Sequence, residues 1–157
     1  SFGVKDYSEL ESEVNKATET LNEASASAES AKQILAEKEA ELETAKAGVE
    51  TAQSGLQMAT EALDRANADV AGAEGEVTAA QNNLSNFTDE DAYNKNQARL
   101  EQAKVNLESA KNNVIAKTSD LETAKTNLAT AESVQSEKQT EYDASVTALN
   151  EANANRS

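Results

Sequence analysis

The chain has 157 residues, with 29 acids against 14 bases for a formal net charge of −15, 3% aromatic residues, and no Pro, Cys, Trp or His. The charge argues against nucleic acid or an anionic membrane as partner, because phosphates need clustered Lys or Arg. Missing His and Cys remove the usual metal ligands and most acid–base machinery, and missing aromatics leave a wide core unfillable.

What remains is a thin core of Leu, Val and Ala, suited to two or three helices side by side. The absence of Pro favours long helices, since an interior Pro costs about 3 kcal/mol. No apolar run approaches the ~20 residues of a membrane span, so no membrane insertion is expected. No signal-peptide or lipidation motif is visible.

The first predicted element is a helix over about 5–84, marked by a repeat of seven. Stepping by seven from Tyr7 gives Tyr7, Val14, Leu21, Ala28, Leu35, Leu42, Val49, Leu56, Leu63, Val70, Val77 and Leu84. Adding three to each gives a companion ladder of Ala, opening on Leu10, closing on Phe87 and interrupted by Lys38. A repeat of 3.5 residues makes a seam that winds left-handed around a partner. Gly48 and Gly55 flank that seam; they either narrow it or simply weaken the helix. The stretch Glu23–Ser30 is the weakest part, because Ser is a modest helix former and Ala28 stands where Leu is usual.

Next comes a turn, expected at 85–88. The ladder resumes at Tyr93, two residues out of phase with Leu84. Thr88, followed by Asp89, Glu90 and Asp91, reads as a helix start, with Thr88 as the cap and three acids at the positive end of the helix dipole. Phe87 is in phase with the ladder and either plugs the end of the seam or stands as a tip contact for a partner.

The second helix is predicted over about 89–153. Its ladder reads Tyr93, Leu100, Leu107, Val114, Leu121, Leu128, Gln135, Tyr142 and Leu149. Its companions are mostly Ala, with Asn96, Lys117, Lys138 and Ser145 among them. Lysines at such positions either snorkel out of a thin core or specify register and strand number.

A short loop forces the two helices antiparallel. The expected fold is therefore all-α, a single long antiparallel two-helix coiled-coil hairpin, with helices of about 120 Å and ~97 Å. In a register where paired numbers sum to about 177, Glu74 faces Lys104, Glu76 faces Arg99 and Lys46 faces Glu132. Residue 153 then meets roughly residue 24, and the start of helix 1 has no partner within the chain. Another chain, another domain or a continuation of helix 2 is expected to cover residues 5–20, and homo-oligomerisation stays open.

Candidate chemistry is sparse. Carboxylate pairs need a concave pocket that two helices do not supply. Asp89-Glu90-Asp91 lacks the glycine and spaced ligands of a calcium loop. No catalytic residue, metal or cofactor is expected. Asn83-Leu84-Ser85 and Asn86-Phe87-Thr88 match the N-glycosylation pattern, as chance permits in so Asn-rich a chain.

The stretches LETAKAGVETAQSGL (42–56), LEQAKVNLESAKNNV (100–114) and LETAKTNLATAES (121–133) resemble the alanine-rich coiled-coil stalks of Gram-positive surface proteins, such as cell-wall-anchored adhesins and surface-exclusion proteins. The resemblance implies a non-enzymatic extracellular spacer that presents a binding region or mediates protein–protein contact. The ladders are also similar to the helical hairpins of periplasmic adaptors of efflux and secretion systems, although the tip SNFTDED lacks their arginine-led docking motif. A third class is a self-assembling coiled-coil subunit, which a charge of −15 opposes unless cations or a basic partner screen it.

Overall fold

The computed structural model describes the backbone of residues 2–87 and 89–156, and the side chains of residues 7–84, 86, 87 and 89–156. Two long helices pack against each other as an antiparallel hairpin, and no strand occurs among the described residues. Helix α1 spans Phe2–Asn83 and helix α2 spans Glu90–Arg156, with a 3-10 turn at Leu84–Asn86 between them. Both helices run a few residues past the expected outer bounds, because nothing there breaks a helix. At the turn, Leu84 leaves α1 for the 3-10 segment.

The helix start at α2 is built by Asp89. Its Oδ1 accepts the Asp91 amide at 2.9 Å, and its carbonyl accepts the Tyr93 amide at 2.9 Å. That satisfies one of the free donors at a helix N-terminus, with Glu90 and Asp91 in the first turn. The cap expected at Thr88 lies outside the described residues; among the described residues Asp89 accepts a first-turn amide.

Threonine is a poor helix interior residue, yet it recurs here. The hydroxyls of Thr44, Thr60, Thr78, Thr118, Thr126 and Thr140 each donate to the carbonyl four residues back. The polar atom is thus satisfied within its own helix.

The chain divides into two compact units, one of Ser1–Val49 with Ala131–Ser157, the other Glu50–Thr130. In the second unit Ala66, Ala80, Leu100 and Ala103 form the buried core. Leu56, Leu63, Val70, Val77, Leu84, Leu107, Val114, Leu121 and Leu128 are half-buried along the same seam. Asn96 is buried with them, and its Nδ2 donates to the Ala80 carbonyl at 2.8 Å. Ala80 is 0% exposed, which shows how small residues let the helices close on each other.

In the first unit Ala28, Leu42, Ala45, Val49 and Ser145 are buried, and Leu35 and Leu149 are half-buried. No large side chain is fully buried among the described residues of either unit. The core is a stripe with solvent on both flanks.

Gly48, Gly55, Gly72 and Gly75 are not points of close helix approach. A Cβ built on Gly48, Gly55, Gly72 or Gly75 meets nothing within 4 Å. The narrowing role considered for Gly48 and Gly55 is therefore corrected: a Cβ at either position has room, so no close approach of the helices depends on them and the loss of helix propensity remains.

Candidate functional site

Three places on the hairpin carry more than packing. The first is the start of α1. Tyr7, Leu10, Val14 and Leu21 keep the heptad ladder, yet they are 68, 58, 55 and 51% exposed. The last turns of α2 lie beside Ala28, Glu29 and Lys32, which share a groove with Leu149, Asn153 and Arg156, and burial along α1 ends at the half-buried Ala24 and Ser25. The apolar stripe of residues 7–21 has no partner among the described residues. It is flanked by exposed Glu11 and Glu13 and by Thr18 and Thr20, whose hydroxyls are turned back onto the carbonyls of Val14 and Lys16 at 2.9 and 3.0 Å.

The second place is a ring of four charges in the first unit. Lys38 Nζ lies 3.3 Å from both Glu41 Oε2 and Glu141 Oε1. Lys138 Nζ lies 3.1 Å from Glu141 Oε2 and 3.7 Å from Glu41 Oε2. Each helix supplies a Lys-x-x-Glu step, and the antiparallel register sets the two steps face to face, so that charges alternate around the ring. Both lysines stand on seam positions where Ala is usual. Their stems cover the seam while the ammonium groups reach the acids, leaving each side chain 28% exposed.

The ring shifts its own titration. Glu41 and then Glu141 hold the Lys38 ammonium above the ordinary lysine value. Glu141 does the same for Lys138, and the Lys138 ammonium holds the Glu141 carboxyl below the ordinary carboxylate value. Glu141 Oε2 is covered from solvent and meets Lys138 as an ionic contact, outside hydrogen-bond geometry. Beside the ring, Ala45, Gly48, Ala131 and Val134 line an open apolar groove of about 500 Å³.

The third place is the tip. Phe87 is exposed, as is Tyr93. Asp89 and Asp91 are engaged with each other through the helix-start hydrogen bond.

Of the three charge pairs expected across the hairpin, one forms: Arg99 to Glu76 at 3.1 Å. Lys46 and Lys104 instead reach Glu43 at 3.5 Å and Glu101 at 3.6 Å on their own helices. A partner one turn away needs less side-chain ordering than one across the seam. Lys117 likewise pairs with Asp120 at 3.6 Å on its own helix. Sequence reasoning singled out Lys38 and Lys138 but missed their acids. The signal that could have found them is the repeated Lys-x-x-Glu on a seam position of both helices.

No protein-family model matches this chain, and no curated protein matches it.

Proposed function

We propose that this chain is a non-catalytic structural segment, a stalk or spacer of a cell-surface protein that presents a binding region and mediates protein–protein contact. The observation that carries the reading is a core reduced to one Leu/Val/Ala stripe between two helices, α1 alone being 82 residues long. A helix of that size covers distance at about 1.5 Å per residue while enclosing little volume. Small-angle scattering of the purified chain tests it. A maximum dimension near the ~120 Å of such a helix supports a spacer. A compact particle removes the reading.

The same segment docks a partner at residues 7–21. Only acids charge the flanks of the uncovered stripe, so the complementary cover is an apolar-seamed helix with basic flanks. A synthetic heptad peptide with Leu and Ala on its seam and Lys on its flanks is the probe. It binds in low salt, the Glu-flanked analogue does not, and Leu10→Ser with Leu21→Ser abolishes binding. Equal binding of the two peptides, or dimerisation of the chain through this stripe in sedimentation, replaces the basic partner with another occupant.

A further inference from the structure

A Leu/Ala ladder of strict period seven is degenerate: sliding one helix along the other by a heptad presents the same layers again. Over residues 28–49 and 131–156 the ladder distinguishes one heptad from the next only through Ala28, Gln135, Tyr142 and the polar companions that interrupt its Leu/Ala pattern.

We propose that the ring of Lys38, Glu41, Lys138 and Glu141 is a register lock, which matches the seam-edge charges of residues 28–49 and 131–156 in the observed alignment and leaves them unmatched one heptad to either side. The ring is closed in the observed register, with all four contacts between 3.1 and 3.7 Å. One heptad away in one direction, Lys38 would face Val134, Glu41 Ala131, Lys138 Ile34 and Glu141 Ala31. One heptad away in the other, the four would face Ala148, Ser145, Gly48 and Ala45. Every substitute is neutral. Either slip therefore leaves two lysines and two glutamates on the seam edge without a cross-helix partner, while the seam keeps its period and re-pairs Ala28, Gln135 and Tyr142 with other seam residues. The main effect falls on the wrong registers, which lose the pairing, while the exposed ring adds only modestly to the right one, as with polar residues that specify coiled-coil pairing. The repeated Lys-x-x-Glu step is the means: each lysine touches its own helix's acid three residues on, and the partner's acid across the seam.

Disulfide trapping tests the lock, since the chain has no Cys of its own. Ala31→Cys with Ala148→Cys reports the observed register, because both positions line one groove. Ala24→Cys with Ala148→Cys reports one slip, and Ile34→Cys with Ala152→Cys the other. Each pair is made in the parent and in a ring-free background carrying Lys38→Leu, Lys138→Leu, Glu41→Gln and Glu141→Gln. The parent traps the Ala31/Ala148 pair alone. The ring-free background keeps its helix content by circular dichroism and raises trapping of the slipped pairs at least about fivefold. A charge-reversed ring, with Lys38→Glu, Glu41→Lys, Lys138→Glu and Glu141→Lys, keeps the alternation and returns the slipped pairs to the parent level. Slipped pairs that stay at the parent level without the ring overturn the proposal, as does a reversed ring that fails to restore them. Loss of helix content in the ring-free background also overturns it, since the ring would then hold the fold together and not choose its register.

Discussion

Residues 7–21 and residues 28–49 belong to one helix and one compact unit and carry the same heptad ladder, yet the first stretch is exposed and the second is the core. Leu21 is 51% exposed and Leu42 only 5%. The cause is the difference in helix length, 82 residues for α1 against 67 for α2. A heptad pattern specifies a face and its period. It does not specify that the chain itself will cover that face. The uncovered stretch stays helical because Ala, Glu, Lys and Leu favour helix on their own, not because of tertiary packing.

The largest test of that contrast is leucine truncation. Leu42→Ala is expected to lower stability by about 2–4 kcal/mol, through lost burial and an unfilled space against α2. Leu21→Ala removes the same atoms from a solvated face and is expected to cost under about 0.5 kcal/mol. Urea unfolding followed by circular dichroism measures both. Similar losses at the two sites would mean that residues 7–21 are covered in solution, and would point to a second chain.

Enlarging the small positions is the next test. Ala80→Leu forces a branched side chain into a fully enclosed small position between the helices, at an expected cost of about 1–3 kcal/mol. Ala17 holds the same ladder position on the exposed stretch, and Ala17→Leu should change stability by no more than about 0.5 kcal/mol. A smaller and opposite effect is expected on the open faces. Gly55→Ala adds a Cβ into empty space in the middle of α1, and should raise stability by about 1 kcal/mol through helix propensity alone. A loss at Gly55 would show that its face is occupied in solution.

Much of this architecture is legible in the order of residues. The phase break between Leu84 and Tyr93 marks the turn, and the Ala and Leu ladders mark the faces that meet. The Arg99–Glu76 pair also follows from the expected register. The charge ring does not, and the reason is a matter of two residues. In a register summing to about 177, Lys38 falls opposite Gln139 and Glu141 opposite Ala36, so no ring is visible. The observed contacts pair Lys38 with Glu141 and Lys138 with Glu41, a small shift that converts two isolated lysines into a closed network. At the start of α2, Asp89 supplies a cap where the sequence marks it only among the acids of the first turn, since neighbouring Thr and Asp are both competent for that role. The role of Gly48 and Gly55 depended on which side of the helix faced α2, which is again a question of phase.

The smallest expected effect concerns pH, and it isolates the ring. Glu141 is held below the ordinary carboxylate value by Lys138, so its contribution is present above that range and is lost as pH falls through the lowered value. Lys38 and Lys138 are held above the ordinary lysine value, so theirs is present below that range and fades only as pH rises through the raised one. The ring therefore acts at full strength across the neutral range and weakens at both extremes. Acid also relieves the self-repulsion of a chain with net charge −15, which works in the opposite direction on the whole molecule. A bare pH–stability curve cannot separate the two, but a difference between variants can. Stability of the parent minus that of Glu141→Gln should be positive near pH 7 and shrink toward zero below about pH 4, as the parent's carboxyl becomes protonated. The difference should also shrink in high salt, since all four side chains are partly exposed to screening. A difference that stays constant between pH 7 and acid would show that Glu141 contributes by its shape and not by its charge, and the ring would lose its electrostatic basis.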